Sequence, residues 1–162
     1  MRRFNKIRAG MGLPPDQPTT LLWMYCAETS SEAEEWWEYF RNQLLAAQHH
    51  YFEWNNPGYA GIPGYKEYLK RQTADVGVAD ASLAARRATQ PIGTPDEIIE
   101  KIRTLLQAIS LEMIVVHFFY GGIPKANGEK SLRLFGEKVL PVVQAMPTPI
   151  NPASLGQPDL HH

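Results

Sequence analysis

The chain has 162 residues, with 16 lysines and arginines against 17 aspartates and glutamates, and its formal net charge is -1. This balance excludes the basic surface of a nucleic-acid-binding protein and the charge excess of an acidic solvating tail. A chain of this length can bury roughly two-thirds of its unfolded surface. We therefore expect one folded domain over residues 1–145, followed by an irregular, proline-rich tail over residues 146–162.

The cysteine content and the targeting segments of a sequence restrict the cellular compartment that can be expected for it. Cys26 is the only cysteine, which excludes an internal disulfide and a cysteine-based zinc site. No secretory apolar region follows Met1, and the apolar run at residues 113–120 is too short to cross a membrane. We expect a cytoplasmic protein without a membrane or nucleic-acid partner. The final His161-His162 is either native or the remnant of a tag.

The first half of the chain predicts a helix, a strand and a second helix. Residues 4–11 form a short helix that ends at Gly12, and residues 19–27 are apolar enough for a buried strand. Thr29 has the position of an N-cap and Glu32 that of its N3 partner. The long helix that follows has one apolar face, which consists of Trp36, Phe40, Leu44, Ala47 and Tyr51.

The middle of the chain is less regular. Residues 57–68 are rich in glycine, proline and tyrosine, which predicts an ordered loop or lid because the aromatic rings can pack. Residues 70–89 contain many alanines and favour a helix without a clear packing face.

Residues 91–141 predict strand end, helix, strand and helix. Thr94, Pro95 and Glu97 give a capping box with proline at N1, and the following helix has one apolar stripe up to Ile109. The continuous apolar run at residues 114–120 is typical of a strand buried on both faces. A last helix carries a stripe, and the alternation of strands and helices predicts a parallel sheet. That stripe consists of Leu132, Phe135, Val139 and Val142.

Short motifs follow one another in this half of the chain in a set order. They are Gly93-Thr94-Pro95-Asp96-Glu97, the turn Gly121-Gly122-Ile123-Pro124, Ser131-Leu132-Arg133-Leu134-Phe135 and Val139-Leu140-Pro141. Earlier motifs are Cys26-Ala27-Glu28-Thr29, Glu32-Ala33, His50-Tyr51 and Gly64-Tyr65-Lys66-Glu67-Tyr68. In this order and spacing they resemble the C-terminal part of the bacterial luciferase-like flavin monooxygenases, with Lys66 where that family has a glutamate.

The resemblance implies a partial (β/α)8 barrel of about three C-terminal β/α units. A whole barrel needs about 250 residues, so we expect the parallel strands to pair with another copy of the chain or with an N-terminal half. The implied activity is oxidation of an organic substrate with oxygen and reduced flavin mononucleotide (FMN), or hydride transfer with a deazaflavin. The alternative is a truncated, catalytically inactive paralogue that serves as a binding or structural subunit.

Barrels of this kind place their active sites where strands end, which selects several candidate residues and the loop from His117 to Gly122. Gly93 would let a flavin approach the backbone and the helix N-terminus behind Thr94 would favour its phosphate, unless Thr94 is only a cap. His117 is either an acid or base, as a weak catalytic candidate, or a core histidine. Substrate contacts are expected from Tyr25, near Cys26 and Glu28, and from two loop tyrosines, Tyr59 and Tyr65.

Two further groups have competing interpretations. The tryptophans Trp23, Trp36, Trp37 and Trp54 either stack on an isoalloxazine ring or belong to the core. His49, His50 and Glu53 have a spacing that could share a metal, but no further ligand follows at a suitable position. We therefore expect no metal site.

Overall fold

A computed structural model describes residues 2–51, 58, 61–63, 76–109 and 111–147. They form an α/β structure with short parallel strands, and none of their helices has the length and apolarity needed to span a membrane. The elements follow the predicted order: α1 (Arg2–Gly10), β1 (Thr19–Trp23), β2 (Tyr25–Cys26), α2 (Ser30–Tyr51), α3 (Val76–Thr89), β3 (Ile92–Gly93), α4 (Pro95–Ala108), β4 (Met113–His117), α5 (Lys125–Leu134), a π-helical turn (Phe135–Val139) and α6 (Leu140–Gln144).

β1 and β2 are one extended segment that changes its pairing partner at Met24. β1 pairs in parallel with β4, and β2 pairs in parallel with β3. The N–H of Met24 donates to the carbonyl of His117 at 3.0 Å, and the next N–H, that of Tyr25, donates to the carbonyl of Pro91 at 3.2 Å. Consecutive peptide groups of an extended chain point to opposite sides. The segment at residues 19–26 therefore lies between β3 and β4.

This strand order corrects the expectation of consecutive barrel units. In a (β/α)8 barrel each strand lies beside the next one in sequence, whereas here the first strand lies between the later two. The strands are parallel, as predicted, but their order in the described residues is not that of a barrel.

The outward carbonyls of the β3 region are covered by side chains. The Lys101 ammonium donates to the carbonyls of Gln90 and Ile92 at 3.1 and 2.9 Å, and the Arg87 guanidinium donates to Ile92 at 3.1 Å. These cations satisfy the carbonyls that a neighbouring strand would otherwise pair with. Side chains of the same chain therefore occupy these two carbonyls.

The prediction that the last strand is buried on both faces is wrong. Met113 and Val115 of β4 are 53% and 39% exposed, and Leu21 of β1, the register partner of Val115, is 51% exposed. Ile114 and Val116 point the other way and pack against the core. Side chains alternate between the two faces of a strand, so one face of the β1–β4 sheet is open. Self-association or pairing with another chain remains a prediction.

The buried face of α2 contains Trp37 in place of the predicted Trp36, and the side chain of the predicted Tyr51 is not described. Ala33, Trp37 and Phe40 are buried, whereas Trp36 is only partly buried. Buried positions at spacings of four and three continue to the partly buried Leu44, which gives the helix a regular stripe. The predicted capping residue is present, because the Thr29 hydroxyl accepts from the N–H of Glu32 at 3.1 Å.

The C-terminal helical stripe is only partly as predicted. Phe135 and Val139 are buried, but Leu132 and Val142 are 44% and 42% exposed. The π-helical turn widens the helix, so burial recurs every fourth residue, from Ser131 through Phe135 to Val139.

Ser131 provides a test of how the C-terminal helix holds the central segment. Its buried hydroxyl accepts from the N–H of Cys26 at 2.7 Å. We predict that Ser131→Ala lowers the free energy of unfolding by about 1–3 kcal/mol, because a buried donor loses its partner. Urea denaturation measures this change. Ser31→Ala, at an exposed position of α2, should change it by less than about 0.5 kcal/mol.

Lys101 makes the free energy of unfolding depend on pH. Burial, together with the charge of Arg87, lowers the pKa of Lys101 from 10.5 to about 8. Between these values the folded chain binds fewer protons than the unfolded chain, so the contribution of Lys101 to stability rises with pH. We predict that the unfolding free energy of wild type, relative to that of Lys101→Met, rises as the pH increases from 8 to 10.5. A difference that stays flat or falls would contradict this assignment.

Candidate functional site

A cavity of about 630 Å³ lies between α2 and the ends of β1 and β4. Its position beside strand ends is where ligands bind in many α/β proteins. The walls are mostly apolar, and none of the described lining residues is a lysine, arginine, histidine, aspartate or glutamate. The lining residues are Trp23, Phe40, Gln43, Leu44, Ala46, Ala47, Tyr120, Gly121 and Gly122.

Aromatic rings form one wall of this cavity. The Trp23 ring lies 5.5 Å from that of Phe40, and the Phe40 ring lies 5.5 Å from that of Tyr120 in an edge-on arrangement. Trp23 is the last residue of β1, and its N–H donates to the side chain of Gln90 at 3.0 Å. Ala46 and Ala47 add only methyl groups to the α2 side. Small side chains facing aromatic ones leave space for a flat, apolar molecule.

A glycine turn closes one end of the cavity. Gly121 and Gly122 have φ angles of 56° and 77°, which other residues adopt only with strain. A Cβ at Gly121 would lie 2.6 Å from Cγ of Gln43, so the turn approaches α2 closely. The Tyr39 hydroxyl donates to the Gly121 carbonyl at 2.6 Å and holds it there.

Tyr120 lines this cavity, but its hydroxyl is buried and unpartnered among the described residues. The residue is 7% exposed, and its buried hydroxyl has no hydrogen-bond partner in the described part of the chain. Burial, with Tyr25 and Tyr39 nearby, raises the pKa of Tyr120 above its ordinary value. The hydroxyl is therefore protonated near neutral pH and able to donate.

A second group of polar side chains joins α2, α5 and the end of β2. Glu32 accepts from the Tyr25 hydroxyl at 3.2 Å, from the Lys130 ammonium at 3.0 Å and from the N–H of Glu28 at 2.9 Å. Lys130 also pairs with the Glu28 carboxylate at 2.9 Å. Every charged group of this cluster has a partner. These bonds hold α2, α5 and the end of β2 together, and each carboxylate and ammonium group of the cluster is paired within it.

Electrostatics within the cluster agree with a structural role. Burial opposes ionisation of Glu32, but the N–H of Glu28 and the Lys130 ammonium outweigh it and lower the pKa of Glu32. Burial and the Glu32 charge raise the pKa of Tyr25 to about 12 and that of Cys26 to about 12. The Cys26 thiol is therefore protonated and poorly nucleophilic.

The structure places the predicted site residues apart from one another. Tyr25 is fully buried, stacks on Trp36 with ring centroids 4.5 Å apart, and does not line the cavity. Gly93 is buried in β3, where a Cβ would lie 2.8 Å from Oε2 of Glu97. The same Glu97 oxygen accepts from the N–H of Thr94 at 2.8 Å, which is the predicted capping box.

His117 lies at the end of β4 on its open face. Its side chain is exposed, so it is not the core histidine of the alternative interpretation. Its ring lies 6.4 Å from that of Tyr120 but does not line the cavity.

Several candidates lie outside the described residues. Tyr59, Tyr65, Trp54 and Glu53 lie outside the described ranges, and the side chains of His49 and His50 are not described. Within the described ranges, no three or more histidine, cysteine, aspartate or glutamate side chains are grouped so as to hold a metal ion.

Sequence reasoning missed the α2 side of the cavity. Phe40, Leu44 and Ala47 were placed on an apolar helical face, which predicts packing against the sheet and not a space beside it. One feature of the sequence did indicate this space. Two alanines, Ala46 and Ala47, follow two leucines, and small residues on an otherwise bulky helical face leave volume unfilled.

Comparisons with known proteins give limited information. No protein-family model matches the chain, and no curated protein matches it. Among solved structures, the crystal structure of the monooxygenase RslO1 from Streptomyces bottropensis is similar, with 20% sequence identity and a TM-score of 0.49. The match covers 86% of this chain and 37% of that chain, so this chain spans little more than a third of its length. Values this low do not establish a common fold or activity.

The glycine turn provides a test of the cavity geometry. We predict that Gly121→Ala lowers the free energy of unfolding by about 2–4 kcal/mol, because the new Cβ meets Gln43 and the positive φ is strained. Gly136→Ala is the matched control, because no atom lies within 4 Å of its Cβ position and its helical backbone accepts alanine. It should leave stability unchanged or raise it by up to about 1 kcal/mol. Equal effects of both substitutions in urea denaturation would contradict the close approach at Gly121.

Proposed function

We propose that this protein binds a flat, apolar small molecule in the cavity beside α2, as part of a luciferase-like, flavin-dependent oxidoreductase that acts on an organic substrate. The observation that carries the binding function is the aromatic wall of Trp23, Phe40 and Tyr120 around an open volume of about 630 Å³. An apolar site of this size with few polar groups suits a ligand of several fused rings. The redox class is supported by the sequence motifs that begin at Gly93.

A flavin has a ring and a phosphate, and the described residues fit only the ring. The aromatic wall can stack on an isoalloxazine or deazaflavin ring. A phosphate needs cations or free N–H groups, but the helix N-terminus at Thr94 is capped by the Glu97 carboxylate. Lys130 is paired with two carboxylates. We therefore derive no reaction step through a flavin.

The protein's own contribution would be binding and exclusion of water. A bound reduced flavin would supply the redox chemistry, while the aromatic wall would orient the ring and keep the site dry. Among the described lining residues, the Tyr120 phenol is the only group that could act as a general acid or base. That observation also favours the second candidate, a non-catalytic binding or structural subunit.

Filling the cavity tests the proposed binding site. We predict that tetralin, a two-ring hydrocarbon, shifts the amide NMR signals of Gly121 and Gly122, which line the cavity. Ala47→Trp should weaken this binding by about tenfold or more, because the indole occupies the ligand's space. Ala84→Trp, on the exposed side of α3, should bind as wild type does. Unchanged glycine signals, or equal binding by both variants, would contradict the proposed site.

A comparison of FMN with lumiflavin, which has the ring but no phosphate, tests the redox class. Because the described residues offer no phosphate site, we predict that these residues hold both compounds through the ring alone, with similar affinities in fluorescence titrations. Much tighter binding of FMN would reveal a phosphate site elsewhere in the chain and strengthen the flavin assignment. Binding of tetralin but of neither flavin would reject the flavin-dependent class and leave the binding subunit.

A further inference from the structure

We propose that α1 binds the surface of a membrane that contains acidic lipids, with the helix lying in the plane of that surface. Its exposed apolar side chains enter the lipid layer, and its cationic side chains lie beside the headgroups. No residue of α1 is among the described residues that line the cavity, so this surface is independent of the proposed function. It departs from the expectation of a chain without a membrane partner, because the sequence does not show which face of α1 is exposed.

The outward face of α1 is apolar. Phe4 and Ile7 are 47% and 56% exposed, and Met11, just beyond the helix, is 69% exposed. The N–H of Met11 donates to the carbonyl of Ile7 at 3.2 Å, so the last helical turn reaches this residue. Residues three and four positions apart lie on the same side of a helix. These three side chains therefore form one apolar stripe that faces solvent, and none of them belongs to either described hydrophobic core.

Hydrogen bonds from another side of α1 hold this stripe outward. The side chain of the buried Asn5 donates to the carbonyl of Asp16 at 3.0 Å and accepts from the N–H of Asp16 at 2.9 Å. Beyond the helix, Gly12 has a φ of 72°, and the N–H of Leu13 donates to the carbonyl of Arg8 at 2.9 Å. This is the backbone pattern of a helix end closed by a glycine. The helix thus has a fixed orientation, with Asn5 inward and the apolar stripe outward.

Cationic side chains lie on both sides of the stripe. Because successive residues of a helix are about 100° apart, Arg3 falls on one side of the stripe and Arg8 on the other, with Lys6 further round. Arg3 and Lys6 are exposed, and neither has an ion-pair partner in the described part of the chain. Arg8 pairs with Asp16 at 3.6 Å, and its guanidinium lies 5.6 Å from the centre of the Phe4 ring. α1 contains no aspartate or glutamate.

This combination of charge and apolar surface favours acidic lipid over a protein partner. A helix with an apolar stripe and a cationic polar face binds in the plane of the membrane interface. Acidic headgroups attract lysines and arginines near the surface, and the apolar side chains gain free energy when they leave water. A protein groove would have to supply carboxylates on both sides of the stripe, whereas a lipid surface needs no matching shape. Because the stripe is short, we expect weak, reversible binding that falls as the salt concentration rises.

Sedimentation of the full chain with lipid vesicles tests this surface. One set of vesicles contains only phosphatidylcholine, and the other contains about one-third phosphatidylserine. We expect wild type to bind the acidic vesicles at least about fivefold more tightly than the neutral ones. This difference should disappear in about 0.5 M salt, where the attraction between exposed charges is screened.

Variants at exposed positions separate α1 from the rest of the surface. Arg3→Gln with Lys6→Gln should weaken binding to acidic vesicles by about tenfold or more, because two attracted cations are lost. Arg133→Gln with Lys138→Gln removes the same charge from exposed positions of the C-terminal helix and should bind as wild type does. Urea denaturation checks that the stability of each variant is that of wild type.

The apolar stripe has its own matched pair of variants. Ile7→Gln should weaken binding by about three- to tenfold, because its side chain no longer gains from leaving water. Leu132→Gln, at an exposed apolar position outside α1, should have no effect. Equal binding of wild type to both kinds of vesicle, or equal losses in the α1 variants and their controls, would overturn the proposal. Self-association that Ile7→Gln abolishes, without vesicle binding, would also overturn it and assign the stripe to a second copy of the chain.

Discussion

The structure depends on the pairing of one extended segment, residues 19–26, on both of its sides. Its peptide groups alternate between β4 and β3, and the change occurs across the single residue Met24. Because the side chains also alternate, Met24 enters the core beneath α4, whereas Tyr25 enters the core beneath α2. One segment therefore joins two cores that would otherwise be separate.

The same segment positions the cavity. Trp23 ends β1 and is held through its N–H by Gln90, which precedes β3. β4 runs parallel to β1 and delivers Tyr120 and the two glycines to the same end. The polar cluster around Glu32 then fixes α2 against α5. The aromatic wall is thus set by strand register and by contacts distant in sequence.

Local sequence signals predicted the elements well because their causes are local. The capping box at Thr94 and Glu97 follows from the spacing of these two residues, and the stripe of α4 follows from its helical periodicity. The buried Ile98, Ile102 and Leu106 were identified in this way. Strand order could not be predicted, because it is defined by backbone hydrogen bonds between residues distant in sequence, such as those from Met24 to His117 and from Tyr25 to Pro91. The family resemblance suggested a barrel order that these interactions do not follow.

The candidate site was predictable only in part. The loop from His117 to Gly122 was selected because it follows a strand, and Tyr120 and the glycines do line the cavity. Tyr25 and Gly93 were selected by the same rule, yet the described structure places both away from the cavity. Tyr25 is buried in the core, and the Glu97 side chain lies against Gly93. An apolar run cannot show which face stays open, so the exposure of Met113 and Val115 also escaped prediction.

A structure of the chain with bound tetralin tests the central claim most directly. The account predicts that the two-ring system lies in the cavity beside α2, against the rings of Trp23 and Phe40. A ligand bound elsewhere on the chain would contradict the proposed site.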